Sequence, residues 1–274
     1  MRIYGSNHQK QIIIAMQQPL AFIHPDAKVH PSVKIDPFVT IGPNVEIGEG
    51  TWIGSSATVM EGTRIGKNCN IFPSAVVGAI PQDLKFAGED TLAIIGDNTT
   101  IRECATVHRG TASRGKTVVG NNTLIMAYSH VAHDCIVGNN VIMSNAVQMA
   151  GEVVVDDYAI IGGGTLIHQF CRIGGHVMIQ GGVHINKDIP PFVKVAHEPV
   201  AYAGINVVGL RRRGFSSETI EEIQDVYRML YLSGLNFSDA IDKIEAELKP
   251  SPQRDEIIQF VRESQRGIVR GYNR

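Results

Sequence analysis

An aliphatic residue returns at every sixth position through most of this chain, and that beat restricts the fold more than any other feature. Ile23, Val29, Ile35, Ile41, Ile47, Ile53, Val59, Ile65, Ile71 and Val77 hold one phase. Ile95, Ile101 and Val107 resume it after a break. Val119, Ile125, Val131, Val137, Met143, Met149, Val155, Ile161, Ile167, Ile173, Ile179 and Ile185 follow a second break. A period of six fits neither a helix nor a simple alternating strand. It fits a hexapeptide parallel β-helix, in which each hexad supplies one flat side and one corner, and three hexads close a coil. A lone coil cannot bury its apolar face, so such a chain is stabilised by stacking coil on coil at roughly 4.8 Å. A sandwich of short strands would not keep one phase for so long.

Glycine often follows the aliphatic, as at Gly42, Gly48, Gly54, Gly66, Gly78, Gly96, Gly120, Gly138, Gly162 and Gly174. The expectation is that these residues turn the corners, where a Cβ would restrict the backbone. The two breaks, Pro81 to Thr91 and Arg109 to Thr117, put Asp83, Glu89 and Ser113 where core aliphatics belong, and read as loops leaving the coil. Loops on rigid scaffolds are where binding groups collect.

The repeat is expected to stop near Ile189-Pro190-Pro191, because proline cannot donate to a ladder. A linker then runs through Arg211-Arg212-Arg213-Gly214. Three amphipathic helices follow: one capped by Ser216 and carrying Ile220, Ile223, Tyr227, Leu230 and Tyr231, one opened by Ser238, and one opened by Ser251-Pro252. The chain is thus expected to comprise a lead over 1–18, a β-helix over 19–191, and a linker with a small helical domain over 192–274. The apolar run Ile12 to Met16 is too short to span a bilayer. A net charge of −2 with 19% charged residues gives no footprint for nucleic acid. The four cysteines, Cys69, Cys104, Cys135 and Cys171, are far apart and form no CxxC pair, which reads as reduced thiols and a cytoplasmic protein.

One stretch of the repeat carries chemistry. His130-Val131-Ala132-His133-Asp134 places two histidines and a carboxylate on one coil. Stacking in steps of three hexads sets His133 under Gly151 and Gly151 under Gln169, with Asp134 under Glu152. His168 and Gln169 then fall on the same edge. His133 there can be a general base oriented by a carboxylate, or a surface histidine at a corner. His130 reads as packing or an inter-subunit contact more readily than as a catalyst, and His108 as structural. The histidine spacings place no three on one zinc site. Arg211 to Arg213 are a solvated run or a phosphate clamp.

The hexads, Ile80-Pro81-Gln82-Asp83-Leu84-Lys85, Val107-His108-Arg109-Gly110-Thr111, His130 to Cys135, His168-Gln169-Phe170-Cys171 and Gly209 to Phe215 together closely resemble the UDP-N-acetylglucosamine O-acyltransferase family of hexapeptide-repeat acyltransferases. The resemblance covers about residues 19 to 274. It implies a mainly β fold, a left-handed parallel β-helix of hexapeptide repeats followed by a small C-terminal α-helical domain, assembled as a homotrimer with sites between subunits. It implies transfer of a 3-hydroxyacyl group from acyl carrier protein to the 3-hydroxyl of UDP-N-acetylglucosamine, the first step of lipid A synthesis, with no cofactor and no metal. Carried onto this chain, it makes His133 the base, Asp134 its orienting acid and the Gly151 amide the oxyanion donor. Asp83, Lys85, His130, His168 and Gln169 match sugar and acyl-chain contacts; Asn206, Arg212 and Arg213 match the nucleotide or carrier end; Gly181 matches the acyl-chain ruler. The chain departs from the family at Glu152, where many members carry histidine, and at Val208, where some carry an acid. Three other readings compete. The N-acyltransferase of the later lipid A step usually has an added N-terminal domain, which the short stretch before the first hexad cannot hold. A non-enzymatic solenoid would have neither interrupting loops nor a convergent edge. A zinc carbonic anhydrase of this fold would reveal itself by bound metal.

Overall fold

The computed structural model describes residues 19–271; the lead expected over 1–18 lies outside the described residues. The described chain divides into two compact units at Asp134/Cys135. In the first unit, two-residue strands follow one another at six-residue steps, and each pairs in parallel with a strand one coil further on. Phe22–Ile23 lies against Thr40–Ile41, Lys28–Val29 against Glu46–Ile47, and Lys34–Ile35 against Trp52–Ile53. The second unit repeats the scheme, with Val155 paired to Ile173, Ile161 to Ile179, and Ile167 to Ile185. These are hexapeptide coils of a left-handed parallel β-helix, and α-helices close the chain.

The phased aliphatics form the core. From Ile41 to Ile185 each is no more than 4% exposed, whereas Ile23, Val29 and Ile35 of the first described coil are half-buried. Burial of each stabilises the stack by roughly 1.5–3 kcal/mol. A second inward column sits two positions earlier and holds only small or β-branched side chains: Val39, Val45, Thr51, Ala57, Thr63, Cys69, Ala75 and their successors. This column explains where the cysteines fall. Cys69, Cys135 and Cys171 all occupy it as buried free thiols, while Cys104 lies on a corner. At most threonines of this column the hydroxyl donates to a carbonyl, as in Thr51 Oγ1 to Gly66 O at 2.9 Å and Thr99 Oγ1 to Gly120 O at 2.7 Å.

The glycines after the aliphatics have a different cause from the one expected. Of those ten, Gly78 alone takes a positive φ. Left-handed residues instead stand three positions before most of the aliphatics, and most are not glycine: Phe38, Asn44, Ser56, Asn68, Ser74, Tyr128, Asp134, Glu152, Phe170 and His176 are among them. The glycines answer close approach between coils. A Cβ on Gly48 would lie 2.7 Å from the Gly66 carbonyl carbon, and one on Gly162 would collide with the Gly181 amide.

Both breaks lengthen a coil. A regular coil of three hexads would bring Val77 against Ile95; Val77 instead pairs with Val107, two hexads further on. Ile95 pairs with Val119, one hexad beyond the regular position. The first break leaves the core as expected, with Leu84 fully exposed at its tip. The second turns back: Thr111 is buried and Gly115 N donates to Thr111 O at 2.8 Å.

Beyond Ile185 the ladder continues past Ile189-Pro190-Pro191, contrary to expectation. Ile189 bridges Ile173, and the Val193–Ala196 strand pairs in parallel with Met178–Ile179 before Ala201–Ile205 returns antiparallel. The prolines are tolerated because they stand at a corner, just before left-handed Phe192, and outside the paired residues Lys194 and Val195. The expected linker also contains a helix, Val207–Arg212, capped by Asn206. The Ser217–Leu232 and Pro252–Glu263 helices carry the caps expected, Ser216 and Ser251. The middle helix, Phe237–Glu247, begins earlier than Ser238 because Asn236 accepts from Asp239 N at 2.9 Å. Tyr227 joins helix to coil, its hydroxyl donating to Pro191 O at 2.5 Å.

Candidate active site

In the first unit, the Thr106–His108 strand lies beside His130–Val131, with Thr106 opposite His130 and Val107 opposite Val131. Outward-facing side chains on adjacent coils therefore meet. His130 Nδ1 and Thr106 Oγ1 are 2.7 Å apart, and the His108 and His130 rings pack edge to face at 4.6 Å. After Val131 the chain turns its corner through Ala132, His133 and Asp134, with Asp134 in the left-handed region at φ 59°. Consecutive side chains of a strand point to opposite faces. The corner lets these two meet, His133 Nδ1 lying 2.9 Å from Asp134 Oδ2.

Asp134 is wholly buried, yet its carboxylate is surrounded by donors. Thr111 Oγ1 donates to Oδ2 at 2.6 Å, the Thr111 amide reaches both oxygens at 3.0 and 3.1 Å, and the Arg114 amide donates to Oδ1 at 3.1 Å. Burial by itself would raise the carboxyl pKa. The hydrogen bonds from Thr111, His133 and Arg114 outweigh it and hold the group below its ordinary range. The backbone is fixed as well: Asp134 N donates to Thr117 Oγ1 at 2.8 Å, and the Arg114 guanidinium donates to Asp134 O at 3.0 Å. An ionised carboxylate on Nδ1 selects the tautomer with its proton there, leaving Nε2 as the basic nitrogen.

The neighbouring imidazoles are held neutral. Burial, then the charges of His130 and His133, pushes His108 down to about 4. Burial, then His133, lowers His130. Of this cluster, the sequence singled out His130, His133 and Asp134. It missed Thr106, Thr111, Arg114 and the ring contact of His108. The available signal was the break at Arg109 to Thr117, which supplies two of those residues.

The other expected site residues lie as follows. Asp83 shapes the first loop, accepting from Lys85 N at 2.9 Å, with Lys85 exposed. Phe86 of that loop lies under the Arg109 guanidinium, 5.5 Å from the ring centre, which ties the loop to the residue after His108. In the second unit, Gly151 is buried, and Glu152 is half-buried on a left-handed corner at φ 61°. His168 is exposed, its Nδ1 3.0 Å from the Gln169 carbonyl. Gly181 packs backbone to backbone on Gly163, where a Cβ would lie 2.8 Å from Gly163 O.

Asn206 is buried and structural in its contacts: its side chain caps the Val207–Arg212 helix and donates to His176 O at 2.9 Å. Arg212 is exposed in the last turn of that helix, and Val208 is exposed on it. Arg213 lies over the Tyr158 ring and donates to Tyr158 O at 2.9 Å. Among the described residues, no group of three or more His, Cys, Asp or Glu is placed to hold a metal ion, and no helix is long and apolar enough to cross a membrane.

Hexapeptide coils carrying an oriented histidine–carboxylate pair define an acyltransferase of the hexapeptide-repeat class. The model for bacterial transferase hexapeptide repeats matches residues 116–147, and that for UDP-N-acetylglucosamine O-acyltransferase domain 2 matches 188–269. A model for the GMPPB C-terminal domain matches 17–118. The acyl-[acyl-carrier-protein]–UDP-N-acetylglucosamine O-acyltransferase of Janthinobacterium sp. (strain Marseille) is 46% identical over 205 residues, 73% of this chain and 78% of its own. That of Verminephrobacter eiseniae is 46% identical over 219 residues, 77% and 83% of the two chains. The crystal structure of LpxA, a UDP-N-acetylglucosamine acyltransferase from Bacteroides fragilis, superposes with a TM-score of 0.89 at 55% identity, covering 92% of this chain and 99% of that one. The Francisella novicida enzyme gives 0.90 at 42% identity, with 93% and 94% covered. The chain belongs to the UDP-N-acetylglucosamine O-acyltransferase family, LpxA.

Proposed function

We propose that the enzyme transfers an (R)-3-hydroxyacyl group from acyl carrier protein to the 3-hydroxyl of UDP-N-acetylglucosamine, the first step of lipid A synthesis. The observation that carries the mechanism is the His133–Asp134 pair, with Nδ1 tied to an ionised, buried carboxylate. His133 Nε2 removes the proton of the sugar hydroxyl as its oxygen attacks the thioester carbonyl. Asp134 fixes the ring and stabilises the imidazolium that forms. The Gly151 amide, three hexads after His133 in the repeat, is the donor that holds the developing oxyanion. Collapse of the tetrahedral intermediate breaks the C–S bond, and the carrier thiolate takes the proton back from His133. The thioester is already activated, so no cofactor is required.

Asp83, Lys85, His130, His168 and Gln169 contact the sugar and acyl chain in this reading. Asn206, Arg212 and Arg213 serve the nucleotide or carrier end, and Gly181 leaves room for the acyl tail. Asn206 acts there by setting the Val207–Arg212 helix, given its cap and its bond to His176. The working form is a cytoplasmic homotrimer. Replacing His133 with Ala should lower turnover in an acyl-carrier assay by about 10²–10⁴-fold, the usual contribution of a positioned base. The oligomer, read by light scattering, should be unaltered. Unchanged turnover overturns the mechanism.

A further inference from the structure

We propose that the Arg109–Thr117 insertion is a positioning device for the His133–Asp134 pair, and that Thr111 is its principal positioning residue. The inference rests on His133 being the base and adds a second set of residues on which that base depends.

The argument starts from the cost of the insertion. Ile95 pairs with Val119, one hexad beyond the position that would close a regular coil, so a hexad's length of chain is spent outside the repeat. It does not wander into solvent. Gly110 is seated so close to Lys116 that any Cβ would collide with its amide, and Thr91 Oγ1 donates to Gly110 O at 2.6 Å. Gly115 N closes a turn onto Thr111 O, and Ser113 N donates to Thr111 Oγ1 at 3.2 Å. This folded turn aims two backbone amides and one hydroxyl at a single carboxylate.

The division of labour on Asp134 makes Thr111 central. Oδ2 is the oxygen that meets His133 Nδ1, and Oδ2 also receives the 2.6 Å bond from Thr111 Oγ1. Each of those donors fixes the lone pair left for the other. The amides of Thr111 and Arg114 occupy Oδ1, and so prevent the carboxylate from rotating away. A buried carboxylate with fewer donors would protonate more readily and would hold the imidazole less well. Thr111 therefore acts on the reaction through Asp134, without touching the reacting atoms.

Thr111→Val keeps shape and volume while deleting the hydroxyl. A hydrogen bond to a charged group contributes about 1.5–3 kcal/mol, so kcat should fall by about 10- to 100-fold, with KM for the sugar nucleotide little changed. Thr111→Ser, which restores the donor, should recover kcat. Should the valine variant fail to fold, Thr111→Cys, a weak donor of similar size, carries the same comparison. The nitrogen resonances of the His133 ring in labelled protein should report loss of the single tautomer in the valine variant and its return in the serine variant. Wild-type kcat and an unchanged His133 tautomer in a folded Thr111→Val enzyme, beside an inactive His133→Ala, overturn this proposal and leave the base intact. An active His133→Ala overturns the base itself.

Discussion

Acid should destabilise this protein partly through one imidazole, and replacing it should remove a measurable part of that sensitivity. His108 is 6% exposed, its ring packs on His130, and its Nδ1 has no hydrogen-bond partner. Its pKa falls from 6.5 in the free side chain to about 4 in the fold, from burial first and the two neighbouring imidazoles second. A histidine whose folded pKa is depressed binds its proton more readily unfolded. The stability it permits is complete above 6.5 and is lost as pH falls toward 4. The full shift corresponds to about 3 kcal/mol at 1.36 kcal/mol per pKa unit. Between about pH 7.5 and about pH 5 the linkage integral gives a loss of about 2 kcal/mol. His108→Phe keeps a ring against His130, abandons no hydrogen bond at Nδ1 and cannot be protonated. Urea unfolding can be followed through Trp52, the only tryptophan, which packs edge to face on Phe72 in the same unit as His108. At matched protein concentration, so that assembly contributes equally, the wild type should lose about 2 kcal/mol more than His108→Phe over that pH interval. Equal losses in the two proteins would refute the claim that burial suppresses the His108 charge.

Two further substitutions test how the coils and helices are held. Tyr227→Phe leaves the buried Pro191 carbonyl without its donor and should cost about 1–3 kcal/mol in chemical unfolding. An unchanged midpoint would mean that the tyrosine hydroxyl does not fasten the helix to the coil. Gly162→Ala drives a Cβ into the Gly181 amide, with backbone on both sides and nothing flexible to yield. It should lie at or beyond the upper end of the overpacking range, about 3 kcal/mol. Gly164→Ala, at φ 68° with open space around it, should cost only about 1–2 kcal/mol. A reversed order in thermal melting would show that corner conformation, and not coil spacing, governs glycine at these positions.

The fold was legible because its physics repeats. One buried aliphatic per hexad is a demand the chain must meet at every coil, and Ile41 to Ile185 meet it without exception outside the two breaks. What the repeat conceals is which atom of each hexad bears the constraint. Glycine after the aliphatic looks like corner chemistry, yet the left-handed corners are filled by Asn, Ser, Asp and even Tyr and Phe. Those residues each cost about 1–2 kcal/mol in that conformation, and stacking on both sides outweighs it. The glycines are set by an inter-coil distance that no local pattern contains. The same limit hid the extra strand after Pro191 and the Val207–Arg212 helix, both held by tertiary pairing and by the Asn206 cap and not by a strong run of their own.

The site divides along the same line. His133 and Asp134 are adjacent in sequence, so their partnership could be proposed from the letters alone. Their support could not, because three of the bonds to Asp134 come from the backbone amides of Thr111 and Arg114, distant in sequence, and any residue has an amide. Thr111 Oγ1 is the one side-chain donor in the insertion that reaches the carboxylate, and a lone threonine in a loop of small polar residues attracts no notice. The interruption itself was the usable signal. A solenoid gains stability from each uninterrupted coil, so a break that folds back onto a buried carboxylate has given up regular stacking for a local task. Asp134 explains that task physically: a carboxylate removed from water must be supplied with donors, and the folded turn aims two amides and a hydroxyl at it. The Arg109–Thr117 break is where this protein provides those donors.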